Sequence, residues 1–237
     1  MSACGVWLSP AVGQRIPPYT QPPPTGYSVQ GRAIRVVVRG NLASPRRMLV
    51  FGCIHGTECA GVPIARRLTT MTPPPDTAIW IVENLDPDGY ANKTRPNARG
   101  VNLNRNFPWK WHRIGQRGSP DYAGPRVLSE PEARFAWALI EQVQPQITVW
   151  YHQHMNLVDL SGGSPLIERR YACLVGMKTR QLLRYDGSAS TWQNHEFPGT
   201  TAFVVELPAG RLKASQGERH AKALVRLNVP GAPVGCP

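Results

Sequence analysis

Val50-Phe51-Gly52-Cys53-Ile54-His55-Gly56-Thr57-Glu58 reads as an apolar strand running into a His-x-x-Glu turn at the head of a helix. Spaced three apart across a Gly-containing turn, an imidazole and a carboxylate converge from one side of the backbone, and they are two of the three protein ligands that a catalytic zinc uses. The third must come from far along the chain. Tyr151-His152-Gln153-His154 closes a second apolar run, Ile147-Thr148-Val149-Trp150, and side chains at the carboxyl end of a strand project into the crevice where open α/β sheets keep their sites. A third apolar run, Phe203-Val204-Val205-Glu206-Leu207, carries one carboxylate, which is costly to bury unless something uses it.

The elements around these runs alternate. Ala33–Val38 is a β-branched strand, and Arg47–Cys53 is a second one, apolar enough to be covered on both faces. Apolar residues at helical spacing follow from Cys59 to Leu68, and after a Pro-rich loop comes the strand Ala78–Val82. This order is a βαβ-like unit, so the sheet is at least partly parallel. Glu83 to Pro108 is polar and too long for a mere connector, which marks it as a functional loop. Further on, a helix starts at Ser129-Glu130-Pro131-Glu132 and runs to Val143, the strand Ile147–Tyr151 follows, and helices are expected over Tyr171–Leu183 and Gln216–Leu227. Residues 1–25, with Pro10, Pro17-Pro18 and Pro22-Pro23-Pro24, read as an extended arm, and 26–237 as one catalytic domain.

Composition narrows the class. Of 237 residues 41% are apolar and 18% charged, values of a folded protein, and no segment has the ~20 uninterrupted apolar residues of a membrane span. The first residues lack the basic and apolar regions of a secretory signal, which leaves open a cytoplasmic protein or a trimmed mature chain that is periplasmic or secreted. The net charge of +12, from 27 basic and 15 acidic residues, favours anionic partners. Its basic residues are scattered in pairs such as Arg46-Arg47 and Arg169-Arg170, which argues against a nucleic-acid interface. The cysteines at 4, 53, 59, 173 and 236 form no C-x-x-C pair. Cys53, Cys59 and Cys173 read most simply as buried thiols, and Cys4 and Cys236, near the two termini, suit a disulfide if the protein is secreted.

Together, His55, Glu58 and His152 form a His₂Glu set that leaves zinc a fourth position for water, and Glu206 is placed to act as general base. The stretch Arg95-Pro-Asn-Ala-Arg99-Gly-Val-Asn102-Leu-Asn104-Arg105-Asn-Phe107 adds three guanidinium groups. One positioned arginine can stabilise an oxyanion, and a second beside an asparagine can grip a carboxylate with parallel hydrogen bonds.

In order, His55-Gly-Thr-Glu58, Glu83-Asn-Leu-Asp-Pro-Asp-Gly89, Gly100-Val-Asn-Leu-Asn-Arg-Asn-Phe107, the strand-end His152 and the strand-borne Glu206 resemble the zinc carboxypeptidases related to carboxypeptidase A, over about residues 26–228. Within that family the small size, Asn-Arg-Asn-Phe-Pro108 and Asp186-Gly-Ser-Ala-Ser-Thr-Trp192 look most like the murein peptide amidase branch, whose members cut the bond between γ-D-glutamate and diaminopimelate. The resemblance implies an α/β domain with a mixed, mostly parallel eight-stranded sheet and helices on both faces. It also implies one zinc per chain on His55, Glu58 and His152, with Glu206 as general base and Arg95 polarising the scissile carbonyl. Asn104 and Arg105 would hold the terminal carboxylate of a small, cell-wall-derived peptide.

This sequence departs from the pattern in three places. Asn102 stands where the family usually has Asp. No tyrosine between Asp186 and Thr201 matches the one that covers the substrate in digestive carboxypeptidases, and there Trp192 and His195 are the prominent side chains, Trp192 being taken as a substrate contact. His154 stands where relatives often have Pro, and strand alternation points it the same way as His152, so it competes as a ligand. The family register favours His152 and leaves His154 as a substrate contact. Two other functions fit parts of the pattern: an aspartoacylase-like N-acyl amino acid deacylase, which uses a similar His-x-x-Glu, and a non-catalytic basic module for an anionic polymer.

Overall fold

In the computed structural model, which describes Tyr19 and residues 21–227, the chain opens with the hairpin β1 (Thr25–Tyr27) and β2 (Ala33–Gly40). It continues through β3 (Arg46–Phe51), α1 (Val62–Leu68), β4 (Thr77–Val82), α2 (Pro87–Asn92) and a 3₁₀ turn at Leu103–Arg105 to α3 (Pro131–Val143). There follow β5 (Ile147–Asp159), α4 (Pro165–Val175), β6 (Lys178–Arg180), α5 (Ala189–Glu196), β7 (Thr201–Pro208) and α6 (Ala214–Leu227). Most of the Pro-rich arm lies outside the described residues; Tyr19 sets its ring edge against Trp80, centroids 4.5 Å apart.

Successive side chains of β3 enter two different cores. Met48 and Val50 pack with α1, α4 and α6 through Ile64, Leu68, Tyr171 and Leu224, while Leu49 and Phe51 pack with α3 and α5 through Leu139, Ile140 and Trp192. A strand covered on both faces has no use for a polar alternate, and this explains the unbroken apolar run. β3 pairs in parallel with β4 and with β5, and the β1–β2 hairpin adds an antiparallel edge through β2 and β4.

The sheet has seven strands, not the eight that the resemblance implies. The reason lies in β5. Ile147 to His152 runs parallel to β7, from Thr201 to Glu206; the strand then bends, with Asn156 at a left-handed φ of 54°, and Leu157 and Val158 come back opposite Glu206 and Val205. One continuous strand therefore flanks β7 on both sides, and its far end pairs with β6 through Leu157 to Asp159.

The expected helix over Tyr171–Leu183 is also corrected. α4 begins six residues earlier, at Pro165, and stops at Gly176, whose φ of 71° makes a left-handed cap that suits glycine. Past it the chain becomes β6 and then a loop over the strand ends.

Gly61, just ahead of α1, is the tightest joint between the His-x-x-Glu turn and the sheet. A Cβ there would lie 2.4 Å from the Gly52 carbonyl oxygen and 2.5 Å from Tyr151 Cβ, and neither can retreat without moving a central strand. Overpacking of this kind costs about 1–3 kcal/mol. For a domain of this size each kcal/mol is worth about 2–4 °C in melting temperature. Gly61→Ala is expected to melt several degrees lower in a thermal scan.

Candidate metal centre and active site

At the end of β3 the backbone enters a tight turn: Glu58 N–H donates to the His55 carbonyl at 2.8 Å, and Gly56 packs so closely on α2 that a Cβ would meet Gly89 C at 2.0 Å. α2 is held in turn by its N-cap, Asp86, whose carboxylate accepts from Gly89 N–H at 2.9 Å. Cys53 and Cys59 close the same turn covalently as a disulfide, so the expectation of free buried thiols is corrected for this pair; they lie six residues apart and bracket both candidate ligands. Cys173 is disulfide-bonded as well, and the suggested Cys4–Cys236 pair lies outside the described residues.

His55, Glu58 and His152 come together, their nearest ligand atoms all within 4.8 Å of one another. His55 Nδ1 and His152 Nδ1 both face one carboxylate oxygen, Glu58 Oε2, at 2.9 and 3.0 Å. The other nitrogen of His55 fixes the tautomer. Asn102 donates through Nδ2 to the Pro120 carbonyl at 3.0 Å, and its Oδ1 accepts from Asn104 N–H at 3.0 Å and from His55 Nε2–H at 2.8 Å. His55 is fully buried, and burial brings its pKa down to about 4, so at neutral pH it is uncharged with its proton on Nε2. Its Nδ1 therefore points a lone pair at a carboxylate. Burial alone would raise the Glu58 carboxyl, but the contact with His152 leads the opposing pull and holds it well below the usual carboxylate range.

Two acceptors facing each other at 2.9 Å need a cation between them. Ligand atoms bound to tetrahedral zinc at ~2.0–2.1 Å stand about 3.3 Å apart, near the two separations from Glu58 Oε2 of 2.9 and 3.0 Å, and the donor set fits zinc in its chemistry. His55, Glu58 and His152 form a potential metal-binding site.

The expected auxiliary residues fall as follows. Glu206 sits opposite His152 in the β5–β7 register, facing the same cleft, and its buried Oε2 has no hydrogen-bond partner among the described residues. Burial raises its carboxyl, and the neighbouring His152 opposes the rise. Arg95 pairs through Nε with Glu58 Oε1 at 2.8 Å and donates to the Pro120 carbonyl. Arg105, nearly buried, pairs with Asp121 at 3.0 Å, and burial lowers its pKa. Asn104 accepts from Ala189 N–H at the head of α5 and brings its Nδ2 to 3.5 Å from His152 Nε2. His154, just before the bend of β5, is exposed and stands outside the ligand set, in a groove with Thr57, Glu58, Arg95 and Glu206.

Trp192 is a correction. Only 2% exposed, it packs between Phe107 and Phe197 in the core, because α5 turns that face inward and presents Ser190 and Thr191 to the cleft. The aromatic residue at the site is Tyr185, one position before Asp186. Its ring lies 4.0 Å from the Arg105 guanidinium and is half exposed.

These observations define a class: a single α/β domain whose strand ends present a three-ligand centre beside a free carboxylate and several arginines. The zinc carboxypeptidase family model matches residues 9–172, and the chain belongs to that family. Murein peptide amidase A of Escherichia coli K12 is 32% identical over 129 residues, 49% of this chain and 53% of that protein. The Vibrio campbellii protein of the same name is 28% identical over 149 residues, 57% of this chain and 60% of that one. The chain thus spans about half the length of the curated relatives it matches. Among solved structures, murein-tripeptide amidase from Escherichia coli O157 superposes with a TM-score of 0.70 at 24% identity, covering 88% of this chain and 93% of that one. Carboxypeptidase A from Helicoverpa armigera superposes with a TM-score of 0.71 at 17% identity, covering 86% and 66%. At these identities the superpositions show a shared fold.

Removing the group that sets the His55 tautomer should loosen the metal without unfolding the chain. Asn102→Ala is expected to weaken zinc binding about 10–100-fold, the range for outer partners of metal-bound histidines, as read by chelator competition. Asn102→Asp keeps the acceptor and should hold the affinity.

Proposed function

We propose that the chain is a zinc-dependent carboxypeptidase-type amidase that hydrolyses the amide bond next to a carboxylate-bearing residue, in particular γ-D-glutamyl-diaminopimelate in peptidoglycan-derived peptides. The observation that carries the reading is the convergence of His55 Nδ1, His152 Nδ1 and Glu58 Oε2 in one cleft with Glu206, whose buried oxygen has no partner among the described residues. Family membership and the murein peptide amidase relatives support the substrate class.

Zinc held by His55, Glu58 and His152 supplies Lewis-acid chemistry, acidifying water and polarising a carbonyl. Glu206 takes the proton of the attacking water and returns it to the leaving amine, a role that suits a carboxylate with a free oxygen and a pKa raised by burial. Arg95 lies within reach of the same point and meets the oxyanion as charge develops on the substrate. Arg105, with Asn104 beside it, holds the terminal carboxylate, and Tyr185 covers Arg105 from the solvent side. A purely binding role would leave the buried, unpaired Glu206 oxygen without a purpose.

The purified protein is expected to hold about one zinc and to cut L-Ala-γ-D-Glu-meso-diaminopimelate, with activity lost to a chelator and restored by zinc. N-acyl amino acids serve as the control for a deacylase. Glu206→Gln should keep zinc and melting temperature while losing at least ~100-fold in single-turnover rate. A Glu206→Gln protein that turns over normally but melts early would make Glu206 a structural acid and remove the base from this mechanism.

A further inference from the structure

The bend of β5 sets a second group of charges beside the metal centre. The cleft that holds His152 and Glu206 continues past Val204 to Asp159, Ser161, Arg184, Ser190 and Thr191. Val204 and Glu206 are two apart on β7 and both face this space, so whatever enters the extension lies directly beside the scissile bond.

Asp159 is a built feature. It is 9% exposed, and its carboxylate accepts from Leu182 N–H and from Ser161 Oγ–H, each at 2.8 Å. Two accepted bonds fix its orientation and leave lone pairs for a ligand. Ser161 is itself locked, since its Oγ also lies 3.1 Å from Val204 N–H and its backbone N–H donates to Glu168 at 3.0 Å. Arg184 lies across the Gly162 backbone, where a Cβ would meet its Nη2 at 2.7 Å, so the absence of a side chain at Gly162 gives the guanidinium its seat. Among the described residues Arg184 closes no ion pair and is exposed, so its guanidinium is available to a ligand. Asp159 and Arg184 line the same extension, and both act on buried Glu168, which burial first and Asp159 second push up to about 7 and Arg184 pulls back.

One carboxylate and one guanidinium on the walls of one polar extension are complementary to a side chain that ends in an ammonium and a carboxylate together. An apolar side chain would leave the buried Asp159 carboxylate without a counter-charge, and a simple cation or anion would use only one of the two groups. We infer that Asp159 and Arg184 are specificity-determining residues that select a diamino-dicarboxylate side chain on the leaving-group side, Asp159 taking its distal ammonium and Arg184 its distal carboxylate. This rests on the reaction proposed above and adds to it which residues recognise the diaminopimelate.

The test uses two chemical deletions of that side chain. Lysine is diaminopimelate without the distal carboxylate, and 2-aminopimelate is diaminopimelate without the distal ammonium. With zinc-loaded protein and L-Ala-γ-D-Glu-X tripeptides, kcat/KM for X = meso-diaminopimelate is expected to exceed both others by at least ~10-fold, the scale of one charge-assisted contact. Arg184→Ala should collapse the diaminopimelate-to-lysine ratio and spare the diaminopimelate-to-aminopimelate ratio. Asp159→Asn, which keeps an acceptor for Leu182 N–H, should do the reverse. Calorimetric competition by the three free amino acids should rank them in the same order, independently of turnover. Equal cleavage of all three peptides by the unmutated protein, or ratios unmoved by both substitutions, would overturn the inference and leave the proposed reaction standing. No cleavage of any of the three, with free diaminopimelate still binding most tightly, would overturn the reaction and keep the charge-pair subsite.

Discussion

Glu58 Oε2 stands about one hydrogen-bond length from two imidazole nitrogens, and the proton that would make the His55 contact attractive is committed to Asn102. Buried lone pairs held face to face are repulsive, so the surrounding structure must force them together until a cation fills the gap. The forcing elements are identifiable. The Cys53–Cys59 bond cinches the turn from below, Gly56 locks it on α2, and Arg95 holds the outer oxygen of Glu58. Asn102 sets the His55 ring, and its own orientation is set by two backbone contacts. The parallel sheet supplies the remaining constraint, since His152 is fixed by the register of β5 between β3 and β7.

β5 has a second task. Before its bend it presents His152 beside Glu206; after the bend it returns on the far side of β7 with Asp159 and Ser161. One strand thus carries a candidate metal ligand on one arm and the proposed selectivity group on the other, with Glu206 between them. The distance between the chemistry and the recognised side chain is thereby set by sheet spacing rather than by a loop, which is the rigid arrangement a positioned site needs.

The groups that chemistry restricts by type were the readable ones. His55, Glu58 and His152 stood out because zinc accepts few donors and because strand ends announce themselves as apolar runs that stop at a polar residue. Glu206 was visible as one acid in an otherwise apolar strand. Trp192 was misjudged because α5 is a short helix with little apolar periodicity, so nothing in the sequence said which face turned inward. Tyr185 stands one residue before the Asp186–Thr201 stretch and carries no pattern of its own. The reversal of β5 had no signal beyond Asn156, since a strand that continues and one that folds back use the same residues. The early end of α4 was legible after all: Gly176 followed by Met177-Lys178 is a helix stop, passed over for a longer apolar pattern.

The positive charge of the chain takes on a local meaning at the cleft, which gathers Arg95, Arg105, Arg180 and Arg184 around the strand ends. Such a cluster draws carboxylate-bearing peptides toward the centre and disfavours cationic ones. Against that background an acid lining the cleft is the exception that needs a reason. Glu58 has one in the metal set, and Asp121 in its pairing with Arg105. Among the described residues Glu206 and Asp159 close no ion pair: Glu206 keeps a free oxygen, and Asp159 is held by a backbone N–H and a serine hydroxyl. In a cationic cleft an acid left without a counter-charge is best explained by something that arrives from outside, a proton from water in one case and an ammonium group in the other.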